Sequence, residues 1–156
     1  MLIINLHGMK TLTYSITINK PQDFVFYKLM DKSAYPAWSK AWGEGITYEG
    51  EWKKGGYMSY FDNTQGGTKV IFEELKPCEY IRAKHIAMVD PQNIEVELKD
   101  EMMQKWIGSL EEYCFHKESD DITKLEIIMT VDETFQKMFD DTWPKALGYF
   151  KEVCES

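Results

Sequence analysis

The C-terminal segment constrains the fold of this chain more than any other part. Its apolar residues recur at steps of three and four, which is the spacing of one stripe along an amphipathic helix. A helix with such a stripe must bury it against another element, so the rest of the chain has to supply a matching apolar surface. The stripe consists of Phe135, Met138, Phe139, Trp143, Leu147, Phe150, and Val153 with Cys154.

Pro144 interrupts this stripe. A proline inside a helix removes a hydrogen-bond donor and clashes with the carbonyl four residues earlier. We therefore predict a short helix from about Glu133 and a main helix that starts near Thr142. In this arrangement Thr142 caps the main helix and Pro144 occupies its first turn.

The segments before residue 45 predict one strand and two short helices. Residues 11–19 alternate apolar and polar side chains, which is typical of a half-buried strand. Residues 21–30 place Pro and Asp at the start of a short amphipathic stretch, which favours a helix. Residues 33–38 predict a second short helix or turn, broken around Pro36.

From residue 45 to residue 131 the pattern predicts hairpins, with one or two helical turns near residues 100–106. No βαβ period appears, so the sheet should be antiparallel. We predict an α+β fold in which a curved antiparallel sheet of about six or seven strands wraps around the long C-terminal helix. The strands after the first are predicted at 46–52, 57–61, 68–75, 80–88, 109–116 and 123–131.

This order of elements resembles the START-like, Bet v 1-like superfamily (SRPBCC), whose proteins have the helix-grip fold. Within it, the chain is similar to the group related to the C-terminal domain of the Hsp90 ATPase activator, which includes the calicheamicin self-resistance type. The resemblance covers residues 10–156 as a single START-like domain and leaves residues 1–9 as an N-terminal extension. The segments that carry it are 16–26, 35–39, 52–56, 74–77, 106–108, 111–115, 123–125 and 138–147.

Charge and cysteine content exclude several classes of function. The formal net charge of −8 repels phosphate backbones and anionic lipid surfaces, which argues against nucleic-acid and membrane partners. No apolar run approaches the length of a membrane span, and the first eight residues lack the cationic region of a signal peptide. Cys78, Cys114 and Cys154 are far apart and odd in number, which favours a reducing, cytoplasmic location.

The resemblance implies a cavity between the concave sheet face and the long helix. The chain has 8 Phe, 5 Trp, 9 Tyr and 9 Met, enough bulky side chains for either a large core or a lined cavity. Strand alternation and the helix stripe indicate which residues face inward. The predicted cavity residues are Trp38, Trp42, Val70, Phe72, His85, Glu111, Tyr113, Phe115, Ile127, Met129, Trp143 and Leu147.

Two polar positions stand out among these residues. His85 could be a hydrogen-bonding or acid–base group in the cavity, or a satisfied strand histidine. Glu111 and Tyr113 share one strand face, and a carboxylate there could orient the hydroxyl or amine of a ligand. The alternative for Glu111 is an ion pair with Arg82 or a lysine at the rim of the sheet.

We expect a non-enzymatic, cytoplasmic protein that binds a small apolar or amphipathic molecule, as a monomer or a homodimer. No cofactor is expected, and no metal, because His7, His85 and His116 are scattered and no Cys/His ligand pair at short spacing is evident. The resemblance also implies an alternative partner, an Hsp90-type chaperone. A third alternative is a cyclase- or hydrolase-like enzyme that uses His85 and Glu111.

Overall fold

An antiparallel sheet of eight strands dominates the computed structural model, which describes residues 8–156. The predicted extension, residues 1–9, lies outside the described residues except for Gly8 and Met9. The strands are β1 (Met9–Ile18), β2 (Thr47–Gly50), β3 (Tyr57–Asp62), β4 (Gly66–Lys76), β5 (Tyr80–Val89), β6 (Glu95–Val96), β7 (Leu110–Ser119) and β8 (Ile122–Asp132). The helices are α1 (Gln22–Leu29), α2 (Tyr35–Ser39), α3 (Glu101–Trp106) and α4 (Gln136–Glu155), and a 3-10 turn at Glu133–Phe135 leads into α4.

The strand order is β1-β8-β7-β5-β4-β3-β2, with β6 paired to β5, and every pairing is antiparallel. The first and last strands therefore lie side by side, with Leu12 opposite Met129 and Ile16 opposite Leu125. The predicted α+β helix-grip architecture is confirmed. The strand count exceeds the predicted six or seven because β6 has only two residues, too few to show an alternating pattern.

Alternation along the strands separates the core from the outer face of the sheet. On β8, every second residue from Thr123 to Val131 is completely buried, and its neighbours are half-exposed. The inward side chains meet the apolar stripe of α4, on which Phe139, Trp143 and Phe150 are buried. The core thus lies between the concave sheet face and α4, as the helix stripe predicts.

The prediction of two C-terminal helices around Pro144 is wrong. α4 is one continuous helix of 20 residues with Pro144 in its interior. Both Pro144 and Asp140, whose carbonyl loses its partner, are exposed, so water can replace the missing hydrogen bond. Thr142 does not cap a helix, and its hydroxyl donates to the carbonyl of Met138 at 2.8 Å.

Replacing Pro144 with alanine should stabilise the protein by about 2 kcal/mol. Proline in a helix interior costs about 3 kcal/mol relative to alanine, and the more restricted unfolded chain offsets about 1 kcal/mol of this. Urea denaturation of the wild type and P144A measures the difference. The control is K145A at the adjacent exposed residue, which should change stability by less than about 0.5 kcal/mol. A loss of stability in P144A would mean that this helix depends on the proline.

Among the helices of residues 8–156, none has the length and apolar character needed to cross a membrane.

Candidate functional site

A cavity of about 250 Å³ lies on the concave side of the sheet beneath α2 and α4. Its walls are mainly aromatic, and they include all five tryptophans of the chain. The helices supply one wall and the strands β3, β4, β5 and β7 supply the other. The aromatic lining residues are Tyr35, Trp38, Trp42, Trp52, Tyr60, Phe61, Trp106, Tyr113, Phe139 and Trp143.

Edge-to-face contacts hold the tryptophans of the helical wall. The ring of Trp42 meets that of Trp143 at 4.7 Å between centroids, and Trp38 meets Phe150 at 5.6 Å. Tyr113 on β7 contacts Trp143 from the sheet side at 6.0 Å. Such contacts favour one orientation for each ring, so α2 and α4 present a preformed wall.

A chain of hydrogen bonds forms the polar part of the cavity. The indole Nε1 of Trp106 lies 3.1 Å from Thr68 Oγ1, and this oxygen lies 2.9 Å from His85 Nδ1. His85 Nε2 lies 3.3 Å from Glu111 Oε1, and the hydroxyl of Tyr113 donates to Glu111 Oε2. The ring of Trp106 also packs at 4.3 Å from that of His85.

The chemistry of the donors fixes the direction of two hydrogen bonds in this chain. An indole N–H can only donate, so Thr68 Oγ1 accepts from Trp106. The hydroxyl of Tyr113 donates to Glu111 Oε2. Thr68 Oγ1 lies 2.9 Å from His85 Nδ1 and 3.4 Å from the carbonyl oxygen of Ala87, so the imidazole is its nearer partner. Glu111 ends the chain, where His85 Nε2 and the Tyr113 hydroxyl both contact its carboxylate.

The tyrosines around Glu111 remain protonated at neutral pH. Burial, and then the negative charge of Glu111, raises the pKa of Tyr113 well above its ordinary value. Burial also raises the pKa of Tyr35 and Tyr60, with a smaller contribution from the charge of Glu111. The three phenols thus offer hydroxyl groups, not phenolates, to the interior of the cavity.

The structure brings six of the twelve predicted cavity residues together around this space. They are Trp38, Trp42, His85, Glu111, Tyr113 and Trp143. The other six are buried in the core and are not part of the cavity wall: Val70, Phe72, Phe115, Ile127, Met129 and Leu147. Neighbouring rings cover two of them, since Trp52 stacks on Phe72 at 5.1 Å and Phe26 meets Phe115 at 5.2 Å.

Several lining residues were not predicted from the sequence. Thr68 shares a strand face with Val70 and Phe72, so alternation could have identified it. Trp106 ends α3, and its distance from His85 in the sequence gives no sign of their contact. Backbone hydrogen bonds make this contact, because Gly108 N donates to His85 O and His85 N donates to Ser109 O. Tyr35 and Tyr60 had no pattern that distinguished them from ordinary core residues.

Glu111 does not pair with Arg82, the alternative that the sequence leaves open. Arg82 lies beside Glu73 instead, with its Nε at 3.2 Å from Glu73 Oε1. These two side chains are half-exposed at the other face of the sheet, as alternation along β5 requires. Glu111 therefore keeps only His85 and Tyr113 as partners among the described residues.

One group of three potential metal ligands occurs in residues 8–156, on the outer face of β7 and β8. It consists of Cys114, His116 and Glu126, whose ligand atoms lie within 4.8 Å of one another. Cys114 and His116 are a Cys/His pair at short spacing, which corrects the expectation that the chain has none. Burial, and then the charges of Glu126 and Glu112, raises the pKa of the Cys114 thiol. His116 Nε2 lies 3.2 Å from Glu126 Oε1, and this hydrogen bond at the surface accounts for the grouping.

Comparison with known proteins supports the fold through solved structures only. No protein-family model matches the chain. No curated protein matches its sequence. Protein MLL2253 from Mesorhizobium loti is 10% identical, with coverage of 94% of this chain and 97% of that one and a TM-score of 0.72.

Two further solved structures are similar to this chain over nearly its whole length. The Aha1 dimer from Colwellia psychrerythraea is 14% identical, with coverage of 94% of this chain and 96% of that one and a TM-score of 0.65. The Zhui aromatase/cyclase from Streptomcyes sp. R1128 is 12% identical, with coverage of 94% of both chains and a TM-score of 0.63. The chain therefore has the helix-grip fold of START-like, Bet v 1-like proteins, as its sequence motifs indicate.

Proposed function

We propose that this protein binds a small amphipathic organic molecule in the cavity between the sheet and α4. The observation that carries the proposal is the preformed space of about 250 Å³ with aromatic walls and one polar chain of Thr68, His85 and Glu111. Ligand sites are typically concave and mostly apolar, with a few polar groups that orient the ligand. The volume lies just below the usual range of about 300–1,000 Å³, which favours a compact ligand.

Intrinsic fluorescence provides a direct test. Because all five tryptophans line the cavity, we expect a bound ligand to change the tryptophan emission without background from distant indoles. A collection of small amphipathic metabolites should contain compounds that change the emission and raise the midpoint of thermal unfolding. A collection in which no compound does either would contradict the proposal.

A matched pair of variants locates the binding site. W42A removes part of the cavity wall and should weaken the affinity for any hit by about tenfold, as measured by calorimetry. Y57A removes an exposed aromatic side chain that is not part of the cavity wall and should leave the affinity unchanged. Equal effects of the two variants would place the ligand elsewhere.

The fate of the ligand distinguishes binding from catalysis. We expect the ligand to be recovered chemically unchanged after prolonged incubation with the protein. Recovery of a converted product that requires both His85 and Glu111 would instead favour the enzymatic alternative. Stimulation of an Hsp90-type chaperone's ATPase by the W42A variant as well as the wild type would favour a co-chaperone role independent of the cavity.

A further inference from the structure

The charged residues of the cavity wall indicate which class of ligand the cavity would take. This inference rests on the proposed function. Two carboxylates line the cavity, Glu111 on β7 and Asp62 at the end of β3. The lining residues of the described chain include no lysine and no arginine. The site therefore offers negative charge and no fixed positive charge to a ligand.

Hydrogen bonds hold both carboxylates in place. Glu111 accepts from the Tyr113 hydroxyl and lies 3.3 Å from His85 Nε2. Asp62 accepts from the backbone N–H groups of Gln65 and Thr64, and these bonds lower the pKa of Asp62. No lysine or arginine of the described cavity wall balances the charge of either carboxylate.

Glu111 is the costlier of these charges because its side chain is only 17% exposed. Burying a carboxylate in apolar surroundings is expensive unless an opposite charge accompanies it. Among the described residues its only potential cationic partner is His85, and it forms no ion pair with a lysine or an arginine. A ligand with a positive charge would supply the permanent cation that the described cavity wall lacks.

The surrounding groups suit an ammonium ion in shape as well as in charge. Tyr35 and Tyr60 line the cavity together with Glu111, and their phenol hydroxyls can accept hydrogen bonds from N–H donors. Tryptophan faces also attract cations, and Trp38, Trp42 and Trp143 line the adjacent wall. The same wall accommodates the apolar part of the molecule.

We propose that the cavity selects a protonated amphipathic amine, with its ammonium group at Glu111 and its apolar body against the wall formed by Trp38, Trp42 and Trp143. An alkyl or arylalkyl amine of compact size fits this description. Anionic ligands are disfavoured because both carboxylates repel them and no lysine or arginine in the described cavity wall attracts them.

Three probes of similar size test the charge preference on the wild-type protein: 2-phenylethylamine, 2-phenylethanol and phenylacetate. Calorimetry at neutral pH should show the amine binding about tenfold or more tightly than the alcohol, with the acid weakest. Binding of the alcohol or the acid as tightly as the amine would overturn the amine preference and leave the proposed function standing. Failure of all three probes to bind at millimolar concentration would also overturn the amine proposal, whereas the proposed function would fall only if no compound of the wider collection bound.

The variant E111Q removes the charge at the proposed contact and keeps the size of the side chain. It should weaken amine binding by about tenfold or more and leave the affinity for 2-phenylethanol nearly unchanged. The matched control is E112Q, one residue along β7, because Glu112 faces the other side of the sheet and accepts from Tyr80. Equal amine affinities of E111Q and E112Q would overturn the assignment of Glu111. The three-probe comparison needs no variant, so it remains decisive if E111Q does not fold.

Discussion

Replacing Phe150 with alanine is expected to lower the free energy of unfolding by about 3–5 kcal/mol. The Phe150 side chain is 1% exposed on the buried face of α4, and its ring meets that of Trp38 on α2. Truncation removes apolar area from the core and leaves a space that the closely packed neighbours fill only in part. Urea denaturation of the wild type and F150A measures the loss.

The same substitution at Phe24 is the matched control. Phe24 lies on α1 and is 39% exposed, with the ammonium groups of Lys20 and Lys28 at 5.1 and 5.5 Å from its ring centroid. F24A should cost about 1 kcal/mol or less, because much of this ring is already in water. Losses of equal size in the two variants would contradict the assignment of α4 as the centre of the core.

Replacing Gly66 with alanine is expected to destabilise the protein by about 4 kcal/mol or more. Gly66 begins β4 with a φ of +82°, a conformation that disfavours residues with a Cβ atom. A Cβ atom there would also lie 2.2 Å from the carbonyl oxygen of Val89 and 2.9 Å from backbone atoms of Asp90. Relief of this overlap requires β4 and the end of β5 to move apart beside the cavity. The unfolding free energy of G66A in urea gives the cost.

The variant G55A separates the two causes of this cost. Gly55 has nearly the same φ, +79°, but a Cβ atom there would meet nothing within 4 Å. G55A should therefore lose only the conformational part, about 1–2 kcal/mol. If G66A were as stable as G55A or more so, the close approach between β4 and the end of β5 would not contribute to the cost, and this explanation would be wrong.

Most of the secondary structure could be predicted because each element carries its own local pattern. On β8, from Thr123 to Val131, the side chains that the sequence alternation predicts to face inward are the ones that are buried. The helical stripe likewise identifies the buried face of α4. Pro144 led to a wrong prediction because the effect of a proline depends on whether it lies on the buried or the exposed side of a helix. On the solvent side the lost hydrogen bond goes to water and the helix continues, which local sequence does not reveal.

The candidate site was less predictable than the fold. The alternation of side chains along β5 and β7 identified His85, Glu111 and Tyr113, since residues two apart on a strand share a face. The partners of His85 come from elsewhere in the chain: Thr68 from β4 and Trp106 from α3. No local pattern links these positions, so the hydrogen-bond chain became evident only from the tertiary structure.

The sequence by itself determined the order of the elements, the antiparallel sheet and the apolar faces that must meet, because periodicities of two and about 3.6 residues are local properties. The tertiary structure alone decided how much of the space between sheet and helix is filled. Side chains that alternation places on the inner face of the sheet separate into two groups. Ile127 and Met129 pack in the core, whereas Glu111 and Tyr113 line the cavity. The physical reason is that packing depends on which rings arrive from distant segments, as Trp52 does over Phe72.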